Sequence, residues 1–123
     1  MNKVTIEQIE ARIEQKYFFN LGKAIAAECP DASIEHIEKA SLTTVCVLIL
    51  NNGFVIKGKS ACIDPRIYDE MKGQLYAYKD AVDKLWELEG YLLRQALHEK
   101  EETAKALASF AENNTCDGGG CTI

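Results

Sequence analysis

The chain lacks the residue constellations that usually mark an active site. Its two histidines, His36 and His98, are far apart in sequence, and neither lies in a motif for nucleophilic or general acid–base catalysis. Three consecutive glycines near the carboxyl terminus lack the lysine and the following helix of a phosphate-binding loop. We therefore expect a binding or scaffold protein rather than an enzyme, and we expect it to need no cofactor.

Long hydrophobic runs and an excess of basic residues are also missing. No stretch approaches the roughly 20 apolar residues that a membrane helix requires, and the first residues are not followed by a signal-peptide core. We therefore expect a cytoplasmic protein with no membrane partner. The formal net charge of -5 argues against a nucleic-acid-coating protein, which would normally be basic. A few local lysines and arginines are still enough to hold a small anionic ligand.

The five cysteines follow neither a zinc-site nor a disulfide pattern. An odd total argues against a complete disulfide framework, and the first three cysteines are isolated from one another in sequence. Cys116 and Cys121 flank Asp-Gly-Gly-Gly, a spacing unlike the usual zinc-binding pair, and no histidine lies near them. We expect no metal site, and we interpret these two residues as oxidation-prone thiols in a flexible tail over residues 113–123.

The sequence after position 42 predicts a β-hairpin. Residues 43–50 are almost all β-branched or apolar, Asn51-Asn52-Gly53 tolerates the backbone angles of a tight turn, and Phe54 restarts strand-forming sequence. Lys57 and Lys59 are two residues apart on the second strand, so they lie on the same face. That face is either simply solvated or a positive patch for a phosphate.

A long helix follows the hairpin in this reading. Asp64-Pro65 is typical of a helix start, and apolar residues then recur at spacings of three and four over residues 71–96. Gly73 and Gly90 interrupt the helix, which indicates either close helix packing or room for a ligand. A two-stranded hairpin cannot cover such a helix, so we expect a second copy of the chain to complete the core.

The segment before the hairpin begins with a helical pattern. Thr5 and Gln8 form a capping box, and the amphipathic pattern predicts a helix that ends at Gln15 or Lys16. This helix either docks a partner or packs on its own sheet. Tyr17-Phe18-Phe19 follows; core packing is the simpler interpretation, but Tyr17 beside Lys16 also suits a nucleobase and its phosphate.

Two further short helices are predicted, over residues 21–28 and 34–40. They lie within residues 17–41, the least regular part of the chain in sequence and a candidate lid or interface.

Together these elements predict an α+β fold. An antiparallel β-hairpin or sheet packs with a short N-terminal helix and one long C-terminal helix in a single domain over residues 1–112. Oligomerisation would complete the fold.

Three motifs in the central block resemble a family of small phage and prophage proteins. They are T-V-C-V-L-I-L-N-N-G-F at 44–54, G-K-S-A-C-I-D-P at 58–65 and W-E-L-E-G-Y-L at 86–92. In this block the chain is similar to phage anti-defence sponges, both the Thoeris type and the anti-CBASS cyclic-oligonucleotide type. The long insert before the hairpin and the extended C-terminal helix look closer to the Thoeris type. Lys59 and Arg66-Ile67-Tyr68 depart from the usual pattern.

The resemblance implies a function. It implies a homo-oligomer, a dimer or a hexamer, that binds a cyclic nucleotide immune signal without degrading it. For the Thoeris type the signal is a cyclic ADP-ribose isomer, and members of both types also hold cyclic oligonucleotides. Sequestration in the cytoplasm of an infected or lysogenic bacterial host would keep the Thoeris effector inactive.

Side-chain chemistry nominates the residues for such a ligand. Arginines pair with phosphate through their planar fork, aromatic rings stack on adenine, and hydroxyl and amide groups bond phosphate, ribose or a base edge. The candidates are Arg66, Phe54, Tyr17, Thr43, Thr44, Asn52 and Arg94, the last reaching a neighbouring subunit's site. Each has a structural alternative: Phe54 in the core, Asn52 as a turn residue, Arg94 in a surface ion pair. The alternative function is an oligomeric phage accessory protein that binds a host protein through its first helix.

Overall fold

The computed structural model describes residues 3–113 and confirms the α+β class. Its helices and strands are, in chain order, α1 (Ile6–Arg12), β1 (Ile13–Asn20), α2 (Leu21–Glu28), α3 (Ile34–Ala40), β2 (Thr43–Leu50), β3 (Val55–Ala61), a 3₁₀ turn (Pro65–Ile67) and α4 (Glu70–Asn113). Apart from Asn113, the predicted tail lies outside the described residues.

The contacts within the chain separate two units. Val4–Glu89 forms the first and contains all three described strands, and the described helical part of the second is residues 90–113. This division falls inside the 1–112 span that the sequence predicts as one domain. Among the described residues, the helices include none with the length and apolar character needed to cross a membrane.

The predicted hairpin is confirmed, and it belongs to a three-stranded antiparallel sheet. The strand order is β1-β2-β3, so β2 is central. At the hairpin turn, Gly53 has a positive φ of 90°, and its N–H donates to the carbonyl of Leu50 at 2.9 Å. Since L-residues rarely adopt this φ, glycine is the residue that allows this turn.

The strand β1 replaces the last three or four residues of the predicted first helix. The capping box is present, because the Gln8 N–H donates to Thr5 Oγ1 at 3.2 Å, but α1 ends at Arg12 rather than at Gln15 or Lys16. From Ile13 the chain pairs with β2 instead. Tyr-Phe-Phe has strong β propensity, and a neighbouring strand overrides the helical periodicity that precedes it. The prediction for this segment was therefore wrong.

The core lies between one face of the sheet and α4. Residues at alternate positions of β2 are buried, as the two-residue period of a strand requires. The buried apolar set is Ile9, Cys46, Leu48, Leu50, Ile56, Ala77, Ala81 and Leu85. Close approach of β3 to α4 depends on Gly58, because a Cβ there would overlap the Ala77 carbonyl and would lie 2.7 Å from the Ala81 Cβ.

An ion pair joins α1 to α4 at the edge of this core. Arg12 Nε lies 3.1 Å from Glu89 Oε2. The Glu89 side chain is only 7% exposed, whereas that of Arg12 is 44% exposed. A buried carboxylate needs such a partner, so this contact constrains where α1 can lie.

The long helix begins later than predicted. Asp64-Pro65 starts the 3₁₀ turn, in which the Arg66 N–H donates to Asp64 Oδ1 at 3.0 Å. α4 itself begins at Glu70, where Asp69 Oδ1 accepts the N–H of Met71 at 3.0 Å. Tyr68 lies between the two elements, and the interruption places its ring at the end of the sheet.

Candidate functional site

Tyr68 is held where β1 ends and β2 begins. Asn20 Nδ2 lies 3.2 Å from the Tyr68 hydroxyl and also donates to the Ser41 carbonyl at 2.8 Å. Thr44 Oγ1 lies 3.5 Å from the same hydroxyl. Tyr68 lines two concave regions, which we name together the Tyr68 groove and separately its larger and smaller lobes.

The larger lobe is a cavity of about 710 Å³ bounded by the α2–α3 pair and the 3₁₀ turn. The two helices approach closely because Gly22 has no side chain: a Cβ there would overlap Ser41 Oγ and the Ile37 carbonyl. The volume is within the usual range for a small-molecule site. The lobe is lined by Asn20, Lys23, Glu35, Glu38, Lys39, Ser41, Leu42, Pro65, Tyr68 and Glu70.

The smaller lobe, of about 290 Å³, shares Leu42 and Tyr68 with the larger lobe. Here Gly73 lets α4 approach β2, because a Cβ at that position would be 2.6 Å from Thr44 Oγ1. The Ser60 hydroxyl donates to the Gly73 carbonyl at 2.6 Å and anchors the contact. The lobe is lined by Leu42, Ser60, Ala61, Cys62, Ile67, Tyr68, Asp69, Lys72, Gly73 and Tyr76.

Each lobe contains one lysine that has no carboxylate partner within the described part of the chain: Lys23 in the larger lobe and Lys72 in the smaller. Lys39, by contrast, pairs with Glu35 at 3.0 Å. An ammonium group is a strong donor to phosphate, and the nearby carboxylates are acceptors for hydroxyl or amino groups. The groove can therefore accept a ligand that carries both an anionic group and hydroxyl groups.

Of the seven predicted residues, Thr44 is the one placed directly against Tyr68. It is 2% exposed, and its hydroxyl faces the Tyr68 hydroxyl rather than solvent. Thr43 is the preceding residue of β2, so its side chain lies on the opposite, outer face of the sheet.

Arg66 does not line either lobe, because its guanidinium is held by its own neighbour. Arg66 Nε lies 3.1 Å from Asp64 Oδ1, and Arg66 Nη2 lies 2.9 Å from Asp64 Oδ2. These hydrogen bonds lower the pKa of Asp64 and raise the pKa of Arg66. A phosphate at Arg66 would have to compete with this carboxylate.

Phe54 and Asn52 lie at the hairpin turn, at the opposite end of β2 from Thr44. Asn52 Oδ1 accepts the Phe54 N–H at 2.9 Å, which is the turn role given above as its structural alternative. Phe54 is 54% exposed, so it is not a core residue. An eight-residue strand separates this turn from Tyr68, so one chain does not bring Phe54 and Tyr68 together.

Tyr17 and Lys16 are adjacent in β1 and therefore point to opposite faces of the sheet. Lys16 Nζ lies 4.7 Å from the centre of the Tyr78 ring, on the face that carries α4. Tyr17 is 51% exposed on the outer face, where the strand register places it in one row with Val47 and Lys57. The structure thus separates the pair Tyr17–Lys16 and brings Lys57 to the face of Tyr17.

Arg94 belongs to the second unit, where its Nη2 lies 3.4 Å from Glu101 Oε1. This contact is the surface ion pair given above as its structural alternative. Within residues 3–113, no group of three or more histidine, cysteine, aspartate or glutamate side chains is arranged to hold a metal ion.

The comparison with known families adds an identification. Residues 4–97 match the model of the phage protein family described as N4 Gp49/phage Sf6 gene 66. The chain belongs to this phage protein family. No curated protein and no solved structure shows a significant match. The resemblance to phage proteins is therefore confirmed at the level of the family.

Tyr68, the central residue of the site, is not among the residues that the sequence nominates. Tyr68 entered only as a departure from the usual pattern, and Asn20, Lys23 and Lys72 were not considered. One sequence feature could have indicated Tyr68: it lies between a proline turn and an aspartate that caps the following helix. When a tyrosine ring is partly buried, its hydroxyl needs a hydrogen-bond partner, which here is Asn20. The partners come from distant positions and are visible only in the folded chain.

Proposed function

We propose that this phage protein is an anti-defence sponge that binds a cyclic nucleotide immune signal, a cyclic ADP-ribose isomer, in the Tyr68 groove. It holds the signal without degrading it in the cytoplasm of the bacterial host, and the Thoeris effector is not activated. The observation that carries this proposal is the groove itself, which combines a nucleotide-sized volume with two aromatic rings and two lysines free of carboxylate partners among the described residues.

The groove has a complementary group for each part of such a ligand. Tyr68 and the 57%-exposed Tyr76 offer ring faces for adenine. Lys23 and Lys72 offer one cation in each lobe for the two phosphates, and carboxylates such as that of Glu38 offer acceptors for ribose hydroxyls. Cyclic oligonucleotides have the same three kinds of group and form the second ligand class of the proposal.

The proposal includes a homo-oligomer, either a dimer or a hexamer. Its support is the outer face of the sheet, where Tyr17, Phe19 and Val55 are 51%, 49% and 43% exposed. These side chains lie in adjacent rows with partly buried residues of β2, and the β3 positions of two of those rows are Lys57 and Lys59, so the apolar surface is bordered by two lysines. An exposed surface of this kind is typical of an association site.

Isothermal titration with a cyclic ADP-ribose isomer, followed by recovery of the ligand after heat denaturation, tests the proposal. We expect tight binding with the ligand recovered unchanged. Recovery of a linearised product would instead identify an enzyme. Absence of binding to this isomer and to a panel of cyclic di- and trinucleotides would contradict the proposal.

Charge-removing variants locate the ligand within the groove. Lys23→Ala and Lys72→Ala should each weaken binding about tenfold or more, because a charge-assisted hydrogen bond to phosphate is lost. Lys79→Ala is the matched control: Lys79 is exposed on α4 in the same unit but does not line either lobe. Equal affinities for all three variants would place the ligand elsewhere.

The alternative is a phage accessory protein that binds a host protein through α1. One exposed residue favours it, since Ile6 is 48% exposed, but Ile9 of the same helix is buried in the chain's own core. Ile6→Glu separates the two functions: it should leave ligand affinity unchanged, and it should abolish protection only if α1 docks a host protein.

A further inference from the structure

The two edges of the sheet differ in how their backbone groups are satisfied. Along the β3 edge, side chains from α4 bond the strand: the Lys59 N–H donates to Asp80 Oδ2 at 2.9 Å, and Lys84 Nζ donates to the Lys57 carbonyl at 2.7 Å. Covering an edge in this way prevents another strand from pairing with it.

The β1 edge has no comparable cover among the described residues. The Leu50 N–H donates to the Phe54 carbonyl, so the backbone groups of the even-numbered residues of β2 point towards β3. The backbone groups of its odd-numbered residues therefore form hydrogen bonds with β1. Tyr17 and Phe19 lie opposite odd-numbered residues and therefore bond β2. Lys16 and Phe18 consequently direct their backbone groups away from the sheet.

Those outward groups are open to a new strand. Within the described part of the chain, the Lys16 N–H is met only by the side chain of Gln15, at 3.0 Å, and no side chain bonds the backbone of Phe18. Unlike the β3 edge, the β1 edge is not blocked by a helix side chain from residues 3–113. It presents the geometry that an incoming strand requires.

We propose that β1 pairs antiparallel with β1 of a second copy of this chain, about a two-fold axis at Phe18. The two three-stranded sheets then form one continuous sheet of six strands. The proposal names a surface for the homo-oligomer included in the proposed function, and it rests on that assembly but not on ligand binding.

The residues of β1 favour this register and a copy of the same strand. With the axis at Phe18, Tyr17 lies opposite Phe19 of the second copy, and by symmetry this aromatic pair occurs twice. Lys16 then lies opposite Asn20. With the axis at Lys16, two lysines would face each other, which is unfavourable. Self-pairing thus places the two exposed aromatic side chains of β1 against those of the second copy.

A proline substitution tests the edge, because proline removes a backbone donor. Lys16→Pro should halve the mass measured by light scattering after size exclusion, since the Lys16 N–H faces outward. Lys57→Pro is the matched control on the covered β3 edge, where the N–H also faces outward, and it should keep the wild-type mass. A wild-type chain that is monomeric at all concentrations overturns the proposal.

If Lys16→Pro does not fold, a disulfide crosslink tests the pairing of β1 with β1 of the second copy. In the double variant Tyr17→Cys/Phe19→Cys, opposite positions of a non-hydrogen-bonded antiparallel pair lie within disulfide distance. Mild oxidation should convert it to a covalent dimer, whereas the wild type and Tyr17→Cys alone should not crosslink to the same extent. Equal crosslinking in all three overturns the register. Ligand titration of the same variants separates this outcome from failure of the proposed function.

Discussion

The ion pair between Arg12 and Glu89 allows the packing of α1 to be tested quantitatively. The Glu89 carboxylate is almost completely removed from solvent and has the Arg12 guanidinium at 3.1 Å. Arg12→Gln removes the cation and leaves the carboxylate in place. Glu89→Gln removes the buried charge instead and leaves Arg12 partly solvated.

The two changes should differ in their effect on the free energy of unfolding. Removing one partner of a fully buried pair costs about 3–5 kcal/mol, and the 44% exposure of Arg12 reduces this to about 2 kcal/mol for Arg12→Gln. Glu89→Gln should cost about 1 kcal/mol, because a neutral amide is easier to bury. The double variant should resemble Glu89→Gln, so the coupling should equal the cost of Arg12→Gln, about 2 kcal/mol.

Urea unfolding of the wild type, both single variants and the double variant, at one protein concentration, measures this cycle. The same cycle on Lys39 and Glu35 is the control, since both side chains are more than 70% exposed, at 72% and 73%, and the coupling should stay below about 0.5 kcal/mol. Additive costs at Arg12 and Glu89, or equal coupling in both cycles, would refute the view that burial of Glu89 makes α1 depend on Arg12.

Two further predictions concern the core. Gly58→Ala should lower the free energy of unfolding by about 3 kcal/mol or more, since its Cβ would overlap the α4 backbone. Gly90→Ala is the control and should not destabilise the chain, because its Cβ would meet no atom within 4 Å. Similar losses of free energy for both variants would contradict the close packing of β3 on α4. Cys46 should resist alkylation in the native protein, because burial raises the pKa of its thiol, while the exposed Cys29 should react. Peptide mapping by mass spectrometry measures the labelling of both residues. Rapid labelling of Cys46 would show that the core opens readily.

Local sequence signals predicted the elements whose structure depends on nearby residues. The turn at Asn51-Asn52-Gly53 needs a residue that tolerates a positive φ, and the capping box needs only Thr5 and Gln8. The long helix follows from an apolar stripe that repeats along its own length. Each of these features depends on residues that are close together in the sequence or on a pattern that repeats along one segment. The hairpin, the first cap and the long helix could therefore be predicted.

The candidate site was less predictable, because its parts are distant in the chain. Thr44 was selected for its hydroxyl, and the structure places it against Tyr68. Arg66 was selected for its planar fork, but the fork is occupied by a carboxylate two residues away. Chemical type alone does not show which donors are already paired, and this is why several nominated residues lie outside the groove.

The sequence by itself determined the α+β class, the central hairpin and membership of a phage protein family. Only the tertiary structure decided that residues 13–20 form a strand, because that conformation depends on hydrogen bonds to β2, about thirty residues away in the chain. The same pairing brings Asn20 to Ser41 and Tyr68 and so creates the groove. Long-range backbone pairing has no local signature, and both the third strand and the candidate site follow from it.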